Sequence, residues 1–161
     1  MDEIYYIGFI SGPFGIKGEV KLISDTNLAD KVFKVGNKLY IDDVAYKISN
    51  YHIHKNNHLI TFEGYEDINK LDNFFKKDVY VNIKELNLND DEYLYVELLG
   101  YKIVDNDIEL GVVEDILLSK KDFYIKNGNL IIPMIPTYLI KVDKINKIIY
   151  VNNTKELRLW E

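Results

Sequence analysis

Alternation of apolar and polar positions dominates the first half of the chain. Residues 4–10 form a short run rich in aromatic and branched side chains, closed by Ser11-Gly12-Pro13, which reads as a strand ending in a turn. Val20, Leu22 and Ser24 then alternate with Lys21, Ile23 and Asp25, the pattern of a strand with one wetter face. Residues 38–42 and 44–48 repeat the pattern around Asp42-Asp43, a tight-turn signal. Residues 51–54 and 59–63 flank Asn56-Asn57, a pair that tolerates the positive φ of a two-residue hairpin loop. One stretch breaks the alternation. Over residues 66–75 the spacing of Ile68, Leu71 and Phe75 predicts a helix, with acids in its first turn and Lys76-Lys77 at its end. Residues 78–82 read as a closing strand. Many short strands with a single late helix predict a small β-barrel rather than a parallel α/β sheet.

Residues 84–91 are polar and without sustained periodicity, and a linker is expected there. A second β set follows over 101–104, 110–118, 123–125, 130–132, 139–142 and 148–151, with a turn of helix over 154–159. The expected architecture is all-β: two small barrels in series with few short helices. One domain covers residues 1–84, a linker 85–91, and a second domain 92–161.

Charge narrows the range of partners. The formal net charge is −6, and of 20 basic residues only Arg158 is an arginine. The first 86 residues carry 11 lysines against 13 acids, net −2, and the remainder 9 basic residues against 13 acids, net −4. A general nucleic-acid coat needs a basic face to displace counterions from phosphates, so neither part qualifies by charge alone. An acidic surface suits a basic partner. The 13 tyrosines, with abundant Lys, Asn and Ile, fit a coding bias. The chain has no cysteine, which removes disulfides, thiolate zinc sites and cysteine nucleophiles. No apolar run approaches the ~20 residues needed to span a bilayer. The acidic N-terminus enters a strand pattern at once, so no targeting segment is expected and the cytoplasm is the expected compartment.

Three features invite a chemical reading. The first is the stretch from Gly8 to Leu22, with Gly12, Gly15 and Gly18 at a spacing of three and Lys17 and Lys21 nearby. A phosphate-cradling loop would place such glycines at a helix N-terminus, whereas this loop runs into a strand, so a barrel corner is the simpler reading. The second is Tyr93 and Tyr95, with Asp90, Asp91, Glu92 and Glu97 around them. On an extended segment the two rings share a face, either as a docking patch for a basic partner or as a packed pair between the barrels. The third is His52, His54 and His58, all the histidines of the chain. With Asn56-Asn57 as the turn, His54 lies opposite Leu59, His52 opposite Thr61 and His58 opposite Lys55. His58 then falls on the face away from the other two, which predicts a solvated hairpin and no metal site. No serine, acid or histidine forms a nucleophile–base pair, so neither catalysis nor a cofactor is expected. An enzyme or cofactor carrier built on the glycine loop or the histidine hairpin is the competing class. Co-purification with a nucleotide, flavin or metal would separate the two.

These stretches together resemble the RimM family over almost the whole chain. Gly8 and Phe14-Gly15-Ile16-Lys17-Gly18-Glu19-Val20-Lys21 match the family's opening motif, with Phe14 where a histidine is usual. Residues 91–100, ending in Gly100, correspond to its junction motif, with Leu94 in place of the second of two adjacent tyrosines and Tyr95 in place of tryptophan. Gly111 within residues 110–115, Pro133 within 130–136, and Val142-Asp143 resemble a PRC barrel. The resemblance implies a translation-factor-like barrel followed by a PRC barrel. It further implies a monomeric maturation factor acting on the head of the immature 30S subunit, through a ribosomal protein of the S-nineteen type, in support of 16S rRNA processing. Tyr93, Tyr95 and Glu97, with Lys17 and Lys21, are then the expected partner-binding residues, and direct contact with 16S rRNA stays open. A PRC-barrel adaptor of a non-ribosomal complex is the alternative.

Overall fold

The computed structural model describes residues 3–158, which divide into two compact units on either side of the Leu94–Tyr95 bond. In the first, six strands close into a barrel: β1 (Ile4–Phe14), β2 (Glu19–Ile23), β3 (Lys38–Ile41), β4 (Val44–His54), β5 (Asn57–Phe62) and β6 (Asp78–Asn82). Their order around the barrel is β1-β2-β5-β4-β3-β6, with β6 pairing back onto β1. Closure requires the long β1 to bend. Its register shifts between Tyr6 and Gly8 against β6, and between Ile10 and Gly12 against β2. Bulges of this kind kink a strand and increase its twist, as a small barrel demands.

The barrel interior follows from the alternation in the sequence. Ile10, Val20, Leu22, Leu39, Ile41, Ile48, Ile60, Phe62, Val79 and Val81 are all buried, each contributing about 1.5–3 kcal/mol relative to exposure. Two aromatic clusters add to this core. Tyr46, Tyr65 and Phe62 surround Phe74 at centroid distances of 4.9, 5.0 and 5.1 Å. Phe33 lies 5.2 Å from both Tyr51 and His58.

Local structure departs from the expected pattern in three places. Residues 66–75 do not form an α-helix: they make two 3-10 turns, Ile68–Lys70 and Asp72–Phe74. The buried residues are Leu71 and Phe74, three apart, the period at which a 3-10 turn repeats a face. Asp67 explains part of this, because its carboxylate accepts from the Asn69 amide at 2.9 Å and competes with a regular first turn. A short helix that the pattern did not announce, α1 (Ala29–Val32), buries Val32 and leads into Phe33. Residues 83–86 form a further 3-10 turn with Ile83 and Leu86 buried, so this polar-looking stretch is fastened to the first unit, and the division between units falls after Leu94.

The second unit is also built of strands: β7 (Lys102–Asp105), β8 (Ile108–Val112), β9 (Asp115–Leu118), β10 (Phe123–Asn127), β11 (Leu130–Pro133), β12 (Leu139–Asp143) and β13 (Ile148–Val151). They pair as a three-stranded sheet, β11-β10-β9, and a four-stranded sheet, β12-β13-β7-β8, in which β13 and β7 run parallel. The run expected over 110–118 is interrupted at Val113-Glu114, and its two halves enter different sheets. Ile103, Ile125, Ile132, Ile149 and Val151 form the core. The terminal helix α2 (Lys155–Arg158) is tied down at its start, where the buried Asp105 carboxylate accepts from the Thr154 hydroxyl and, at 3.2 Å, from the Thr154 amide. Leu159, expected in that helix, lies outside the described residues. The chain is all-β, in two units.

Candidate partner-binding surfaces

The glycine loop joins β1 to β2 through residues 15–18, strand to strand, so its amides stand at a hairpin corner and not at the start of a helix. Gly18 is there because nothing larger fits. Its φ is +88°, and a Cβ would sit 2.5 Å from the Tyr65 carbonyl oxygen and 2.8 Å from the Asp67 nitrogen. The loop is therefore laid directly on the backbone that leads into the 3-10 turns. Gly8, at the β1 bulge, is constrained in the same manner by the Ile23 carbonyl oxygen, 2.5 Å from where its Cβ would lie.

On this scaffold Lys17 and its neighbour Ile16 are exposed at the tip, and Lys21 is half-buried on β2, paired in register with Leu59. Glu19 turns toward the β4–β5 hairpin, where its Oε2 lies 3.3 Å from His52 Nδ1. That oxygen is removed from water and has no hydrogen-bond partner among the described residues. Phe14 packs against His54 at 5.4 Å, which places an aromatic ring of the opening motif beside the hairpin.

The hairpin turn falls on Lys55-Asn56, both at positive φ, one residue earlier than Asn56-Asn57. The register becomes His52↔Leu59, Ile53↔His58 and His54↔Asn57. Because the pairing slips by two positions in total, alternation still sends His58 to the face away from His52 and His54. His58 is only partly solvated, however. It is half-buried, its Nδ1 lies 2.8 Å from the Tyr51 hydroxyl, and burial pushes its pKa down. The approach of Phe33 from a distant segment produces this environment, and hairpin periodicity alone could not reveal it.

The junction segment belongs to the first unit as far as Leu94. Asp90 and Asp91 are exposed, while Glu92 and Tyr93 are half-buried. Two side chains from the α1 segment hold it: Asn27 Nδ2 donates to the Tyr93 carbonyl at 2.8 Å, and Lys31 pairs with the Glu92 carboxylate. Glu92 also accepts from the Asn89 amide at 2.9 Å through its other oxygen.

Tyr95 and Glu97 lie in the second unit, within a 3-10 turn over Tyr95–Leu98. Tyr93 lies in a stretch without regular structure and a 3-10 turn begins at Tyr95, so the segment is not extended throughout. Tyr95 stacks on Phe123 with centroids 3.9 Å apart and planes 20° apart, and Glu97 is buried. Gly100 terminates the turn at φ +85°, its amide donating to the Val113 carbonyl at 2.9 Å. Gly111 on β8 leaves room for the Asn127 side chain, whose Nδ2 donates to the Val112 carbonyl at 2.7 Å. Pro133 ends β11 opposite Tyr124. These three motif positions serve the folding of the second unit.

Residues 5–86, just over half of the chain, match the RimM N-terminal domain, a span that takes in nearly all of the closed barrel. A ribosome maturation factor RimM of Bacillus cytotoxicus is 33% identical over 156 residues, covering 89% of this chain and 91% of that one. Its counterpart in Bacillus anthracis is 31% identical and covers 98% of this chain and 99% of its own. Among solved structures, a RimM chain from Pseudomonas aeruginosa covers 92% of this chain and 96% of its own at 21% identity and a TM-score of 0.47. No helix among the described residues is long and apolar enough to cross a membrane. With its opening glycine motif, its closed first barrel and relatives aligned along nearly its full length, the chain belongs to the RimM family of ribosome maturation factors.

Proposed function

We propose that the chain assists late assembly of the head of the small (30S) ribosomal subunit and the processing of 16S rRNA. It acts in the cytoplasm as a monomer, by binding and not by catalysis. The observation that carries this reading is the family match, which extends along 98% of the chain to a relative named as a ribosome maturation factor. The partner proposed is a small-subunit ribosomal protein of the S-nineteen type. A net charge of −6, with Asp90 and Asp91 exposed beside Tyr93, favours encounter with a basic protein. In the first unit Tyr93 provides contact area with a polar tip, and Lys17 and Lys21 supply cations for rRNA phosphates. In the second unit Tyr95 and Glu97 are retained as partner-binding candidates, with Tyr95 also serving its stack on Phe123.

The test is calorimetric titration of the purified chain with the S-nineteen-type protein. A one-to-one complex is expected, weakened about thirtyfold by Tyr93→Ala, since truncating a central interface aromatic often costs ~2 kcal/mol. Absence of a complex at micromolar concentrations would remove that protein as the partner.

A further inference from the structure

We infer that the segment from Asn27 to Phe33 positions the junction, with Asn27 and Lys31 as positioning residues that hold Tyr93 in its docking geometry. This rests on the reading of Tyr93 as a partner-binding residue. The segment is fixed at its inner side by packing and by backbone capture. Val32 and Phe33 are buried, with Phe33 against Tyr51 and His58. Beyond the helix, Asn37 Nδ2 donates to the Lys31 carbonyl at 2.7 Å, while the Asn37 backbone joins β4 by accepting from the Ile48 amide at 2.8 Å. A four-residue helix has no stability of its own, so its position is dictated by these anchors.

From that fixed base, two side chains reach out to consecutive residues sixty or more positions later. Asn27 holds the Tyr93 carbonyl, and Lys31 holds the Glu92 carboxylate, which also accepts from the Asn89 amide. Grasping one residue by its backbone and its neighbour by its side chain restricts both translation and rotation of the segment. Where a docking residue is held in its bound conformation beforehand, less ordering entropy is lost on association. The ion pair itself is partly solvated, with side-chain exposures of 37% and 19%, so it adds little to global stability. An interaction that contributes little to stability yet fixes the backbone beside Tyr93 fits a positioning role.

Charge makes the role separable from simple attraction. If Lys31 mattered only through the electrostatic field, Lys31→Glu would add acid beside an acidic segment and tighten binding to a basic partner. Positioning requires the opposite. The experiment measures affinity for the S-nineteen-type ribosomal protein with the full-length chain carrying Lys31→Glu, Glu92→Lys, the two together, Asn27→Asp and Tyr93→Ala. Melting is recorded for each. The expected result is three- to tenfold weaker binding for Lys31→Glu, for Glu92→Lys and for Asn27→Asp, with melting little changed, and partial recovery in the double exchange, which restores the ion pair but not the acceptor for the Asn89 amide. Amide exchange at residues 92–94 is expected to quicken several-fold in Asn27→Asp. Tighter or unchanged binding by Lys31→Glu, with Tyr93→Ala still weakening the complex, overturns the positioning role and leaves docking intact. Unchanged binding by Tyr93→Ala overturns both.

Discussion

Replacing Gly18 by alanine sets two separable physical costs at one position of the opening motif. The first is conformational: at φ +88° an L-residue pays roughly 1–2 kcal/mol for left-handed backbone. The second is steric. The new methyl would lie 2.5 Å from the Tyr65 carbonyl oxygen and 2.8 Å from the Glu66 carbonyl carbon, and these are main-chain atoms that cannot swing aside. Moving that backbone means displacing the segment packed by Tyr65 and Phe74, and forced overpacking costs about 1–3 kcal/mol. The total is about 2–5 kcal/mol. For a domain of this size each kcal/mol moves the melting temperature by about 4–8 °C, so the first unit should lose at least ~8 °C. Two neighbours supply the controls. Gly15 has φ +70° but open space around its Cβ, so Gly15→Ala should show only the conformational part. Gly12 has neither constraint, and Gly12→Ala should be close to neutral. Thermal melting by circular dichroism on the three variants gives the ranking. Equal losses at Gly15 and Gly18 would refute the argument that backbone proximity, rather than φ, selects glycine at position 18.

Other residues yield narrower tests. Because burial pushes the His58 pKa down from the ordinary 6.5, the unfolded chain takes up a proton at this site before the folded one does. Stability is therefore complete above pH 6.5 and declines as the pH falls through the folded pKa, and His58→Gln should flatten that part of the urea-unfolding profile; an unchanged slope would place the proton uptake elsewhere. Tyr95 and Phe123 should couple by about 0.5–1.5 kcal/mol in a double-mutant cycle of changes to leucine, read by chemical unfolding, and additive losses would mean the stack contributes nothing of its own. Lys17→Glu with Lys21→Glu should weaken binding to immature subunits and flatten its salt dependence by about one unit for each phosphate no longer neutralised. A salt slope equal to that of the unmodified chain would remove rRNA binding from these lysines.

The sequence made some elements of this architecture legible because their determinants are local. Strand alternation set Val20 and Leu22 on one face, both of which are buried, and acidic turn residues marked Asp42-Asp43, both of which adopt the positive φ of a two-residue loop. What escaped depends on neighbours distant in sequence. The hairpin at Lys55-Asn56 took lysine rather than a second asparagine into left-handed geometry, because the ladder from Leu59 to Phe62 fixes the register. Residues 66–75 carry a helical spacing, yet burial of Leu71 and of Phe74, which packs against Tyr46 and Tyr65, selects 3-10 turns. The candidate positions were visible in the same uneven way. Gly18, Lys17 and Tyr93 could be singled out from motif and composition. The engagement of Tyr93 by Asn27 and of Glu92 by Lys31 joins positions more than sixty residues apart, and no local pattern announces it. Glu97 reads as one of a row of acids, but the 3-10 turn that begins at Tyr95 carries it inward.

By the proposed role the chain attends the maturation of the small ribosomal subunit. The most direct test is sedimentation of cell extract through a sucrose gradient, with immunodetection of the chain in each fraction and probing of the same fractions for precursor and mature 16S rRNA. Co-migration with small subunits that contain precursor 16S rRNA is expected, with little in mature 30S or 70S fractions. A chain confined to the top of the gradient under low-salt conditions, or distributed equally over mature and immature subunits, would contradict it.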